Sequence, residues 1–176
     1  MTAEGVIPAV LAIQGALGAV DTLLNHELIE RLRQRPEARR EVGLHAVREA
    51  IYAALFLGLG WFAWHGAAAA AVAALLTAEI VVTLLDESVE NRIRVLPQNE
   101  RALHVVMTLN YGVLLALAVP VLLEWSRRPA ALAPAHNGWL AWLLSAFAAA
   151  SAVWALLDFL AWRSTATSRL PSSPPA

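Results

Sequence analysis

Glu41, His45, Glu49 and Tyr52 fall at i, i+4, i+8 and i+11, a spacing that lines all four along one face of an α-helix. Glu100, His104, Thr108 and Tyr111 repeat the pattern further along the chain, Glu79, Thr83, Asp86 and Glu90 make a third stripe, and Asp21, Thr22, Asn25 and His26 cluster as a fourth. Carboxylates with imidazoles suit a divalent cation of hard to intermediate character; iron and manganese are favoured, and zinc also fits. The candidate metal ligands are therefore Asp21, His26, Glu41, His45, Glu49, Asp86, Glu90, Glu100 and His104. Tyr52 and Tyr111, two turns beyond the histidines, are candidate catalytic residues, acting by hydrogen bonds behind the ligands more readily than by redox chemistry. So many carboxylates in one interior repel one another, and only cations, protons or nearby arginines can balance them.

The elements that must carry these side chains are membrane helices. The chain of 176 residues is 59% hydrophobic, with mean hydropathy +0.56 and 13 basic against 14 acidic residues. Five apolar stretches of about bilayer length occupy roughly 6–33, 40–64, 67–94, 99–125 and 138–163. A lipid-exposed backbone must satisfy its own hydrogen bonds, so all five are read as helices. The expected fold is all-α, an integral membrane bundle of five transmembrane helices forming one domain over 1–164. The Ser/Pro-rich segment 165–176 is expected to be a disordered cytoplasmic tail.

All thirteen basic residues are arginine, and only Arg127 and Arg128 fall in a connection on the side opposite the other eleven. The positive-inside rule then places the N-terminus outside and the C-terminus in the cytoplasm. Trp61, Trp64, Trp125, Trp139 and Trp142 fall at the outer interface and Trp162 at the inner one. No basic region precedes the first stretch, which is expected to remain as a span rather than a secretory signal. The absence of cysteine excludes disulfides, iron–sulfur clusters and thiolate zinc sites. Phosphate-binding glycine loops, zincin motifs and nucleophile elbows are also absent.

The ligand-type groups share one depth. His45 lies nineteen residues from Trp64 and His104 twenty from Glu124, about 30 Å of helical rise in each case. Asp21, His26 and Asp86 come at a similar level. Glu79 is closer to mid-membrane and is a candidate deep ligand, proton-relay group or partner of Arg48. Glu27, Glu30, Glu37, Glu87 and Arg31 read as a solvated face, and His65 and His136 as turn residues. Asp158 is expected to pair with Arg163 or to join the bundle.

An internal match connects two of the stripes. Residues 22–36, "TLLNHELIERLRQRP", align with 83–97, "TLLDESVENRIRVLP", and 41–55 align with 100–114, with six identities in each fifteen. Thr22/Thr83, Arg33/Arg94, Glu41/Glu100, His45/His104 and Tyr52/Tyr111 all coincide. The pattern predicts a duplicated helical hairpin, with units 6–64 and 67–125 as parallel repeats about an axis near the membrane normal, and a fifth helix outside the repeat.

The stretches "TLLNHE" and "LHAVRE" resemble the Thr-Leu-x-x-His-Glu and Leu-His-x-x-Arg-Glu motifs of a bacterial integral-membrane family. The resemblance covers most of 20–160 and implies a place in the bacterial inner membrane. It singles out His26, Glu27, His45, Arg48 and Glu49 and supplies no activity.

The leading expectation is a metal-dependent membrane enzyme, a di-iron-like oxidoreductase acting on a lipid or other apolar substrate at the cytoplasmic side. Ligand types and twofold repetition resemble di-iron carboxylate bundles, but those use Glu-x-x-His, whereas Glu and His stand four apart here. Asp86 also aligns with Asn25 and Glu87 with His26, so one metal is favoured over two. The first alternative is a haem b electron-transfer protein with His45 and His104 as axial ligands. The second is a non-enzymatic proton or metal-ion conduit, or a scaffold whose arginine-rich face attracts anionic lipid. Expected partners are membrane lipid and an apolar small molecule, with no nucleic acid among them.

Overall fold

The computed structural model describes residues 3–167, with side chains as far as Ser164. Five long helices dominate: α1 (Ala3–Val20), α2 (Arg39–Trp61), α3 (Ala68–Ile93), α4 (Gln98–Ser126) and α5 (Trp139–Thr167). All five are long and apolar enough to cross a membrane. The chain is thus all-α, and its exposed surface carries Leu84, Leu109, Leu123 and Trp142, as a lipid-facing surface should. α5 runs three residues past the expected start of the tail, and the rest of that tail lies outside the described residues.

Packing fixes a cyclic order. α1 lies against α4, α4 against α3, α3 against α2, α2 against α5 and α5 against α1, while the consecutive helices α1 and α2 scarcely touch. α5 is therefore wedged between the two legs of the first expected hairpin. The most extensive contact, α2 with α5, depends on small residues that let backbones approach. A Cβ on Gly43 would come within 2.9 Å of the Trp162 ring, and one on Gly60 within 3.4 Å of Leu144.

The two ends of the bundle differ in kind. At the tryptophan-rich end, the connections after α2 and α4 form short antiparallel strands, β1 (Phe62–His65) and β2 (Ala131–Pro134), with Phe62 opposite Pro134 and His65 opposite Ala131. His65 is thus a strand residue, 3.2 Å from Arg128, and not the turn residue expected. Asn137 donates to the carbonyls of Leu59 and Gly60 and satisfies the last turn of α2. Gly66 adopts φ +61°, and a Cβ there would collide with the Ala130 backbone at 2.6 Å.

At the other end α1 continues into a π-helical segment, Asp21–Ile29, and the chain returns through two 3₁₀ turns, Leu32–Gln34 and Pro36–Ala38. Arg31 takes the left-handed conformation at the break, φ 50°. Nearly all of the buried polar side chains gather towards this end.

Candidate metal centre

The π-helical segment makes the centre possible. Five residues apart on an α-helix, Asp21 and His26 would point about 140° from each other; with i→i+5 bonding they stack one above the other. His26 Nε2 lies 3.4 Å from Asp21 Oδ2. From α4, His104 Nε2 approaches the same Asp21 oxygen at 3.3 Å, and Glu100 Oε1 stands 3.8 Å from His26 Nε2. Asp21, His26, Glu100 and His104 each offer one ligand atom, all within 4.8 Å of one another, so the four can hold a metal ion.

The spacing suits ligation as well as long hydrogen bonds. A tetrahedral cation with bonds of about 2.0–2.2 Å has ligand–ligand edges of roughly 3.3–3.6 Å, whereas N–H···O bonds cluster at about 2.7–3.2 Å. The edges from Asp21 are 3.3 and 3.4 Å. His26 Nε2 is buried and has no hydrogen-bond partner. A buried unpaired imidazole nitrogen is costly unless something completes it.

Around this quartet the other expected ligands are held differently. His45 Nε2 meets Asp86 Oδ2 at 3.1 Å, Arg48 reaches the same oxygen at 3.0 Å, and the His45 ring stacks on His26 with centroids 4.4 Å apart. Arg48 thus pairs with Asp86 and not with Glu79. Arg94 gathers three carboxylates: it donates to Glu41 at 3.1 Å, to both oxygens of Glu100 at 2.6 and 2.8 Å, and to Glu90. Burial works against the Arg94 charge, but the hydrogen bond to Glu100 and the charges of Glu41, Glu90 and Glu100 push its pKa above the ordinary arginine value. Glu90 also faces His104 Nδ1 at 3.6 Å.

Glu49 is not one of the quartet; it lines a groove against α5 and, with His26, His45 and Arg48, a small space beside the quartet. Tyr52 and Tyr111 lie deeper. Tyr52 donates to Glu79 at 2.9 Å and accepts from Gln14, which in turn accepts from Asn110; Tyr111 donates to the Leu76 carbonyl. Thr83 adds a second donor to the same Glu79 oxygen. Asp158 pairs with Arg33 at 2.7 Å, not with Arg163 or with the quartet. Among the surface acids, Glu27 pairs with Arg33 and Glu30 with Arg35.

A cavity of about 290 Å³ leads to the quartet along α3 and α4, from Leu115 and Tyr111 past Glu79 and Thr83 to Glu90 and His104. His45 instead faces a separate, nearly closed space bounded by Trp154 and Asp158. The two matched histidines therefore do not line one cavity.

The importance of Arg94 is not evident from composition, where it counts only as one more positive charge at a helix end. Its position four after Glu90 and six before Glu100 is the one available signal. Comparison of the chain with known protein families, curated proteins and solved structures finds no match.

Proposed function

We propose that this chain is an integral membrane metalloenzyme whose centre is formed by Asp21, His26 and His104, with Glu100 at a fourth position. The observation that carries the reading is the buried His26 Nε2 without a hydrogen-bond partner, 3.4 Å from Asp21 and 3.8 Å from Glu100. Two imidazoles and one carboxylate are the donor set of non-haem iron centres with open positions. Iron is accordingly the first choice, with manganese and zinc as alternatives. Glu100 is tethered through both oxygens to Arg94 and would be held in place to supply a fourth ligand.

Charge supports the same reading. Five buried carboxylates, Asp21, Glu41, Asp86, Glu90 and Glu100, face two guanidinium groups, Arg48 and Arg94, an excess of three negative charges. A divalent cation and one protonated imidazole would balance it. Such a cation polarises a bound oxygen at neutral pH. The groove along α3 and α4 gives an apolar or lipid substrate a lateral path from mid-membrane, and its walls supply the hydroxyl and carboxyl groups of Thr83, Tyr111 and Glu79. We assign the activity to an oxidoreductase acting at the arginine-rich, cytoplasmic side of a bacterial inner membrane. A haem reading has less support, because the Nε2 atoms of His45 and His104 face Asp86 and Asp21.

The test is metal analysis of the full chain purified after expression with iron, manganese or zinc supplied. One equivalent is expected, lost in His26→Ala and His104→Ala. Wild-type protein free of metal in all three preparations, or variants with unchanged content, would overturn the proposal.

A further inference from the structure

A second groove lies on the other side of the bundle, between α1, α2 and α5, with a volume of about 110 Å³. Its floor and walls are apolar at one end, where Gly15, Phe56 and Phe147 meet. At the other end it is polar, where Glu49, Ser151 and Trp154 come together with Thr22. The polar end is the one nearer the arginine-rich end of the bundle. Seven residues separate Glu49 from Phe56 and Trp154 from Phe147, so the groove extends about 10 Å along the membrane normal. Its polarity therefore runs the same way as a lipid in the adjoining leaflet, head towards the charged end and chain towards mid-membrane.

Two features of the polar end point to the head. Glu49 is a half-buried carboxylate within a membrane span; Ser151 on α5 hydrogen-bonds to it, but among the described residues no arginine or histidine lies within ion-pair distance. Its neighbour Arg48 borders the same small polar space but is bonded to Asp86. An ionisable group held in this setting calls for an opposite charge. Trp154 Nε1 is buried without a hydrogen-bond partner and is free to donate to an oxygen. Gly18 supplies the space beside them: a Cβ placed there meets no atom within 4 Å.

We infer that this groove is a specific lipid site, taking a phospholipid whose headgroup carries a primary ammonium, with the ammonium on Glu49, headgroup oxygens near Trp154 and Thr22, and one acyl chain against Phe56 and Phe147. The site shares no residue with the quartet, although Thr22, Glu49 and Trp154 also border the small space that His26 lines. Tyr52 lines it while donating to Glu79 on the wall of the substrate groove, so an occupant here touches the partition between the two grooves.

The test is native mass spectrometry of the full chain in detergent, titrated with short-chain phosphatidylethanolamine or phosphatidylglycerol. Wild-type protein should bind one ethanolamine lipid about tenfold more tightly than the glycerol lipid, the worth of one charge-assisted contact. Glu49→Gln should lose that preference and keep weak, equal binding of both. Gly18→Phe should fill the groove and lose both lipids, with thermal unfolding and metal content unchanged in each variant. Equal affinity of the two lipids for wild-type protein, preference retained in Glu49→Gln, or binding retained in Gly18→Phe would each overturn the assignment. Loss of the metal centre in separate His26 variants would leave lipid selectivity intact, so failure of one reading is distinguishable from failure of the other.

Discussion

Arg33 and Arg94 occupy matched positions in two similar stretches, yet they have opposite fates. Arg94 is buried at the middle of the bundle and holds Glu41, Glu90 and Glu100. Arg33 is part-exposed at the periphery and binds Glu27 and Asp158, the latter on α5. The difference follows from the cyclic order of helices. α3 and α4 pack directly, and the chain between them turns inward over the centre; α1 and α2 are held apart by α5, and the chain between them is drawn outward to meet it. One helix without a counterpart is enough to give two similar hairpins different work. The α3–α4 side keeps an open groove to the candidate metal ligands, and the α1–α2 side is closed into the smaller groove against α5.

The largest expected effect separates the two arginines. Arg94→Ala leaves three buried carboxylates facing one another and should cost about 3–5 kcal/mol of stability, as breaking a buried charge network does. Arg33→Ala removes one pair that water reaches, with Glu27, and leaves one buried carboxylate, Asp158, against three at Arg94, so it should cost less, about 1–3 kcal/mol. Unfolding of both variants in mixed micelles measures the contrast. Equal losses would mean that the α5 contacts of Arg33 matter as much as the centre, and the comparison would fail.

Much of this arrangement was legible in the chain, and the missing parts have physical causes. Five spans follow from apolar length, and the common depth of Asp21, His26, Glu100 and His104 follows from counting helical rise. The register of His26 does not, because no residue pattern in "DTLLNHELI" distinguishes i→i+5 from i→i+4 bonding; on an α-helix His26 would have pointed away from Asp21. The insertion of α5 between α1 and α2 is also invisible to the internal match, since residues 138–163 have no repeated partner. That insertion gives Glu49 neighbours on α5, Ser151 and Trp154, although it shares a helical stripe with Glu41 and His45. The duplication itself remains a proposal: Glu41 and Glu100 share Arg94, and each matched histidine meets an aspartate on another helix, but Asp21 and Asp86 are not matched positions.

A smaller effect distinguishes the matched glutamates. Glu41 and Glu100 both accept from Arg94, but only Glu100 stands beside His26. Glu41→Gln should therefore retain bound metal. Glu100→Gln should lower metal occupancy several-fold, while stability falls by about 1–3 kcal/mol in both variants through the weakened bond to Arg94. Metal content that responds equally to the two substitutions would place the cation nearer Arg94 than the quartet, and would remove the distinction between the two sides.

The smallest effect concerns Gly43 and its matched position, Ala102. Alanine is ordinarily the better helix former by about 1 kcal/mol. At Ala102 the side chain is exposed on α4 with no helix opposite, so Ala102→Gly should cost about that amount and nothing more. At Gly43 a methyl group would come within 2.9 Å of Trp162 Cδ1. The indole has little room to retreat, because it meets the tilted Phe159 ring at 5.8 Å, lies under the Arg39 guanidinium at 5.0 Å and packs on Leu32 and Val42. Overpacking of this kind costs about 1–3 kcal/mol, more than the helix propensity returns. Gly43→Ala should thus destabilise the protein although the same residue stabilises α4 at the matched site. A gain in stability for Gly43→Ala would show that α5 does not press on α2 at this level, and the wedge that separates α1 from α2 would lose one of its close contacts.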